Sequence, residues 1–208
     1  MNERYTDINS KVIDSWARSG WEWAQPIDHE TYLRALASER MVAEREGYSI
    51  RMVRADMTQR LPFEDGEFDL IFHPVSNCYI EDVYPVWREC ARVLKTGGIL
   101  LAGLDNGINF LFDEDENKLC HSLPFNPLKD EALYRESMEN DWGIQFSHSI
   151  EEQIGGQLKA GFMLTDVYDD TNGSGRLHEL GAPAFWATRA VNMKKSDAPL
   201  NCGRSDKR

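Results

Sequence analysis

Glycine is nearly absent from the first part of this 208-residue chain: of fifteen, only Gly20 and Gly47 precede residue 60. A glycine-rich turn that lets backbone approach a ligand closely is therefore excluded there. The four cysteines, Cys78, Cys90, Cys120 and Cys202, stand far apart and never as CxxC, and the five histidines form no HxxxH or HExxH pair. These spacings speak against a metal site and against a disulfide framework, and scattered thiols of this kind are small core hydrophobes in a reducing compartment. Basic residues are outnumbered, 23 against 35 acidic, for a formal charge of -12. That field repels phosphate backbones and anionic headgroups, so neither nucleic acid nor a membrane surface is expected as a partner. No apolar run reaches the ~20 residues that span a bilayer. The opening MNERYTDINS is polar and acidic, unlike a signal peptide, and the expectation is a cytoplasmic protein.

What is present is hydrophobic material for a core: 41% apolar residues, with six Trp, seven Tyr and nine Phe. A chain of this size can bury about 70% of its unfolded surface, so a folded globular domain follows.

Residues 1–40 read as two helices around the aromatic elbow SGWEWAQPIDHE. Ile8, Val12 and Trp16 recur at helical spacing in the first, and HETYLRALASERMVAERE forms the second, closed by Gly47. YSIRMVRAD (48–56) alternates into a strand. FDLIFHPV (68–75) is a near-continuous apolar run, expected to be a strand buried on both faces. Residues 82–95 place Val83, Val86, Trp87, Cys90, Ala91 and Leu94 on one helical stripe, with Asp82 as N-cap and Thr96-Gly97-Gly98 as the stop. ILLAGL (99–104) is a further buried strand, giving a parallel strand-helix-strand unit.

From 105 to 146 the pattern loosens around the acidic turn DEDEN and the prolines of LPFNPLKD. Ser149 to Glu152 spells a capping box opening a helix whose apolar face is Ile150, Ile154 and Leu158, closed by Gly161. The pair Gly155-Gly156 inside it costs about 1 kcal/mol per glycine against alanine, which points to close packing. FMLTDVY (162–168) and PAFWATRAV (183–191) form an antiparallel hairpin with a long loop, in which Gly173-Ser174-Gly175 is ordinary loop. The organisation expected is a helical leader or lid over 1–40, an α/β domain over 41–192 and a frayed polar tail over 193–208.

The series D-M-x-x-x-LPF-x-D-x-FDLI, then E-C-x-RVLK-x-GG-I-L-L-A-G, resembles the second half of a class I S-adenosylmethionine-dependent methyltransferase of the small-molecule (type 11) group. HPVSNCYIEDVYPVWRECARVLKTGGILLAG and SHSIEEQIGGQLKAGF resemble one bacterial branch of it. The likeness covers roughly residues 40–192 and extends to the leader. It implies an α/β, Rossmann-like sheet with a terminal antiparallel hairpin, S-adenosylmethionine as cofactor and a small-molecule methyl acceptor.

Against that family's plan, the first strand, its glycine-rich loop, the first helix and the second strand are absent, about where Ala37 to Arg40 stand. Exposed strand edges and an uncovered apolar face then favour a homodimer, with exchange of elements between chains as one form of it.

The resemblance implies roles residue by residue. Asp56 and Met57 match the adenine-edge position, where a carboxylate accepts the exocyclic amine; the plain alternative is an Asp that starts a turn. His73, Pro74 and Val75 flank the cofactor, and HPVSNCY lines the methyl-transfer centre at the carboxyl end of a strand, where open α/β sheets bind ligands. His73 is then a candidate general base, with Asn77 and Tyr79 orienting substrate; the alternative is a hydrogen-bonded structural histidine. Trp16, Trp21, Trp23 and Tyr32 form either an aromatic lid or the packing between two helices. His148 opens a helix beside the same cleft. Three readings stay open: a methyltransferase, a non-catalytic remnant acting as a binding or oligomerisation module, and a deletion product without an evolved function.

Overall fold

The computed structural model describes residues 3–19, 53 and 55–193. Helix α1 (Tyr5–Ser19) is the helix expected from Ile8, Val12 and Trp16. Ile8 and Val12 bury themselves against Ile144 and Phe146, with Tyr5, Trp16 and Tyr134 around them. The second leader helix, Trp21, Trp23, Tyr32, the deletion point at 37–40 and nearly all of the expected tail lie outside the described residues. Of the strand expected over 48–56, the described residues Val53, Ala55 and Asp56 belong to no strand.

Four strands make one sheet: β1 (Phe68–His73), β2 (Leu94–Asp105), β3 (Phe162–Thr171) and β4 (Pro183–Asn192). Their order is β1-β2-β4-β3. β1 and β2 run parallel, with Ile71 opposite Leu100 and His73 opposite Ala102, and α2 (Tyr84–Val93) lies between them in sequence. This is the expected strand-helix-strand unit. The N-cap is Val83 rather than the expected Asp82, which stands one residue earlier and accepts the Tyr84 backbone N–H at 3.0 Å. The glycine pair does not stop the chain, however. β2 begins at Leu94, directly after α2, and Gly97 takes a φ of +81° inside it, bending helix exit into strand. β3 and β4 pair antiparallel as expected, and β4 inserts between β2 and β3.

The core fills one face of the sheet. Leu100, Ala102 and Leu104 of β2 meet Val83, Val86, Trp87 and Cys90 from the α2 side, with Ile80, Phe162 and Ala190 completing the cluster. The opposite face is open among the described residues. Leu70 is 53% exposed and Phe72 74%, which overturns the expectation that the 68–75 run is buried on both faces. Alternation explains the split: Ile71 and His73 point into the core, and Leu70 and Phe72 point away from it.

Two further departures are instructive. The loose region holds a helix, α3 (Glu131–Glu139), whose N-cap Asp130 accepts the backbone N–H groups of Ala132 and Leu133. The capping box at 149–152 forms as expected, with Ser149 N–H donating to Glu152 Oε2 at 2.8 Å and Glu152 N–H to Ser149 Oγ at 3.2 Å. The turn it opens is π-helical over Glu151–Gly155, passing into the short helix α4 (Gly156–Lys159), and Gly161 closes it at a φ of +100°. Of the expected apolar face only Ile154 packs against the core. Ile150 is 60% and Leu158 51% exposed, while Gln153 and Gln157 are fully buried. The wider π turn re-aims the side chains. The oxygens of the buried amides find polar partners, Gln153 Oε1 accepting from Asn77 Nδ2 at 2.7 Å and Gln157 Oε1 from Thr188 Oγ1 at 3.0 Å, while both Nε2 atoms have none among the described residues.

Candidate functional site

Parallel strands β1 and β2 deliver their carboxyl ends to the same edge of the sheet, where an α/β fold presents loops free of ladder hydrogen bonds. β1 ends at His73, and its exit loop crosses over β2 at Gly103. A side chain there would meet Val75, since an added Cβ would lie 3.0 Å from Val75 Cγ2. Ser76 Oγ donates to the Pro74 carbonyl at 2.9 Å, and a single 3-10 turn, Asn77–Tyr79, brings the chain back toward the core.

His73 lies on the core side of β1, buried, with its ring edge-on to Trp87 at 5.5 Å. Asn77 donates its amide to Gln153, so its oxygen is the acceptor, and His73 Nε2, 2.9 Å away, carries the proton. Burial holds the His73 pKa below the ordinary histidine value, although the Asn77 contact opposes it, so the ring is neutral. His73 and Asn77 are thus tied to each other and to the π turn.

The segment 144–148 lies along this loop. Phe146 N–H donates to the Cys78 carbonyl at 2.7 Å, and His148 Nε2 lies 3.0 Å from the Asn77 carbonyl. Helix α1 covers both. Asn9 donates to the carbonyls of Ile144 at 2.7 Å and Tyr79 at 3.3 Å, and accepts the Ile144 N–H at 2.6 Å. The Trp16 ring stands 6.5 Å from that of Tyr79, and burial pushes the Tyr79 phenol above its ordinary pKa.

β2 ends at Asp105, buried, whose Oδ1 accepts the Gly107 N–H at 2.6 Å. Burial pushes its pKa up to about 6, against the hydrogen bonds from Gly107 and Asn109. Cys78, across the edge, has its thiol pushed up to about 12 by burial first and by the Asp105 charge second. Asp105 was missed by sequence reasoning, yet it carried a signal: it is the first acidic residue at the end of a buried strand and stands before an Asn-Gly turn. Gln153, Gln157 and Asn9 gave none, because a buried amide looks like a surface one in sequence.

Asp56 is half-buried, and its Oδ1 accepts both the Thr58 N–H at 2.9 Å and the Thr58 hydroxyl at 2.7 Å. It starts a turn, and its charge reaches Arg4 and Tyr5 at the beginning of α1. Met57 packs on the core cluster. Arg92 fixes the loop that follows: its guanidinium donates to the carbonyls of Leu61 and Phe63 and pairs with Glu89 and Asp65. The structure therefore gathers His73, Asn77 and Tyr79, with Pro74 and Val75, in one loop and leaves Asp56 in its own turn.

Among the described residues no three His, Cys, Asp or Glu side chains cluster as metal ligands, and no helix is long and apolar enough to cross a membrane. A hollow of about 310 Å³ lies along α3, lined by Glu131, Tyr134, Arg135, Met138 and Glu139.

Residues 10–102 match the family described as Methyltransferase domain. The chain is 41% identical over 147 residues to the "Uncharacterized methyltransferase YbaJ" of Bacillus subtilis (strain 168), an alignment covering 67% of this chain and 58% of that protein. It is 33% identical over 90 residues to "Malonyl-[acyl-carrier protein] O-methyltransferase 1" of Coxiella burnetii, covering 43% of this chain and 32% of that one. The chain thus spans less than two thirds of the curated relatives it matches. A solved S-adenosylmethionine dependent methyltransferase from Mesorhizobium loti superposes with a TM-score of 0.51 at 17% identity, over 74% of this chain and 76% of that one, a likeness of fold.

Proposed function

We propose that this chain is a class I S-adenosylmethionine-dependent methyltransferase that acts on a small-molecule methyl acceptor bound at the carboxyl edge of β1 and β2, a reading supported by the matching family and the Bacillus subtilis relative. One observation carries the proposal: the loop His73–Tyr79 and the turn at Asp105 meet at one edge under α1, which Asn9 pins to Tyr79 and Ile144. In this reading Tyr79 and Asn77 orient the acceptor. His73, neutral and hydrogen-bonded to Asn77, holds that loop in place. Asp56 and Met57 serve the adenine edge of the cofactor, with Pro74 and Val75 beside it.

The fit to S-adenosylmethionine is divided. A half-buried carboxylate at Asp56 suits the adenine amine. The carboxypropyl end calls for close backbone approach, and before residue 60 the chain offers only Gly20 and Gly47. The described residues do not make a complete cofactor site.

A homodimer belongs to the proposal. Phe72 and Leu70 leave apolar surface on the open face of β1, and covering a side chain of that size is worth about 1.5–3 kcal/mol. Free thiols at Cys78, Cys90 and Cys120 suit the cytoplasm.

The scarcity of early glycines favours a second reading, a non-catalytic member of the family that binds or assembles. Titration of S-adenosylhomocysteine by calorimetry, with the oligomeric mass measured in the same buffer, separates the two. Micromolar binding with a defined stoichiometry supports the enzyme; no heat at millimolar ligand from a folded sample sinks it and leaves the binding module.

A further inference from the structure

His148 presents a nitrogen that the fold does not use. Its Nε2 lies 3.0 Å from the Asn77 carbonyl oxygen, which can only accept, so Nε2 carries the proton and Nδ1 keeps a lone pair in the neutral ring. The residue is 5% exposed, and Nδ1 has no hydrogen-bond partner among the described residues. A buried acceptor left unpaired is costly and rare in folded proteins. The ring cannot turn away cheaply, because Asn77 is itself held between His73 and Gln153.

The surroundings say what kind of group would meet it. The three segments that build this edge, 73–80, 105–112 and 144–149, contain no lysine or arginine, so an anionic ligand finds no counter-charge in them. The acidic group at the edge, Asp105, also accepts hydrogen bonds. The partner that would complete Nδ1 is a donor, which a bound ligand can carry. On the inner side, Ser147, next to His148, accepts the Phe125 N–H at 2.7 Å, and buried Phe125 stacks on Phe110 at 4.9 Å, so this side of the edge is fixed.

We infer that His148 Nδ1 accepts a hydrogen bond from the hydroxyl of a small, neutral molecule bound at this edge, the position of the methyl acceptor. The inference rests on the reading of function given above. A hydroxyl fits better than an ammonium, which would need a carboxylate free to pair with it, and Asp105 is turned onto Gly107.

Long-range proton–nitrogen spectra of the full chain, labelled at histidine nitrogen, test this directly, with phenol as probe and its methyl ether, anisole, as control. The His148 signal is identified by its loss in His148→Gln, which keeps an amide donor for the Asn77 carbonyl and removes the Nδ1 acceptor. The expected result is an unprotonated Nδ1 whose resonance moves saturably with phenol and not with anisole, and a tenfold or greater loss of phenol affinity in the folded variant. A proton found on Nδ1, an equal response to both probes, no response, or unchanged phenol binding by the variant overturns the inference. S-adenosylhomocysteine added to the same samples reports separately on function: cofactor binding without an Nδ1 response leaves the methyltransferase reading standing and removes this one, and the converse does the opposite.

Discussion

The Trp87 ring occupies the space that a side chain on Gly156 would need: an added Cβ would lie 2.4 Å from Trp87 Cδ1 and 2.8 Å from Nε1. Trp87 is fully buried, and its Nε1 donates to the Glu152 carbonyl at 3.0 Å, so it cannot step aside. Gly156→Ala gains about 1 kcal/mol of helix propensity and loses more to overpacking, for a net destabilisation of about 1–3 kcal/mol. At Gly155 the nearest atom to an added Cβ is Glu151 Cγ at 3.5 Å, an ordinary contact. Gly155→Ala is expected to be neutral or to stabilise by up to about 1 kcal/mol. Urea midpoints of the two variants check the contrast, and equal effects at both positions would contradict the packing account.

This glycine pair shows how much could be read beforehand. Its low propensity signalled close approach, but the sequence could not say that only the second glycine bears it. The fold class, the β1–α2–β2 unit, the capping box and the terminal hairpin were legible because each rests on local pattern: periodicity, a cap residue, a turn. What stayed hidden depends on partners distant in the chain. Gln153 and Gln157 looked like a polar surface next to the Ile150, Ile154 and Leu158 stripe, and the π turn buried both glutamines while leaving only Ile154 of the stripe against the core. Phe72 looked buried because an apolar run does not reveal whether anything covers its second face. In the site, the loop at His73–Tyr79 was legible from its place at a strand end. Asp105 carried a signal at the end of its strand that went unread, and the orphaned nitrogen of His148 carried none, since burial and hydrogen-bond geometry make it distinctive.

Asn9 joins α1 to the rest of the molecule through both ends of its amide, which meets the N–H and the C=O of Ile144. Asn9→Ala leaves two buried backbone groups unpaired, at a cost of about 1–3 kcal/mol each before any rearrangement. Asn9→Asp keeps the acceptor, loses the donor and buries a charge, so it is expected to be no better. Hydrogen exchange gives the clean test: the Ile144 amide and α1 should lose protection together, with β2 and β4 unchanged. Retained protection at Ile144 would mean that apolar packing by Ile8 and Val12 holds the helix alone.

Arg92 fixes the loop between Asp56 and β1 through five donations, two of them to the Leu61 and Phe63 carbonyls at 3.1 and 2.8 Å. Lysine has the charge without the planar fork, so Arg92→Lys should behave like Arg92→Ala. Both are expected to lower stability by about 1–3 kcal/mol through the unpaired carbonyls and to expose the loop 57–67 to protease ahead of global unfolding. Restoration of protease resistance by lysine would show that charge alone, through Glu89 and Asp65, sets the loop.

Asp105 gives the fold a pH dependence of unusual sign for a carboxylate. In the fold it holds its proton to about pH 6, against 3.8 for an ordinary aspartate, because burial disfavours the charged form. The native state therefore binds more protons than the unfolded chain between those values. The contribution of Asp105 is fully present below pH 3.8 and is lost as pH rises through about 6. A separation of about 2 pH units corresponds to about 3 kcal/mol. Cys78, the thiol nearest this carboxyl in charge, is pushed up to about 12 and does not titrate in the window. Asp105→Asn keeps an oxygen for the Gly107 N–H and removes the ionisation. At pH 8 the variant should exceed the parent in stability by about 2–3 kcal/mol, and near pH 4 the two should agree to within about 0.5 kcal/mol, as read from urea denaturation at each pH. A gain of equal size at both pH values would assign the effect to packing instead. A gain confined to high pH would mean that the ionised carboxylate costs the fold stability where it stands, the pattern expected of a group retained for what binds beside it.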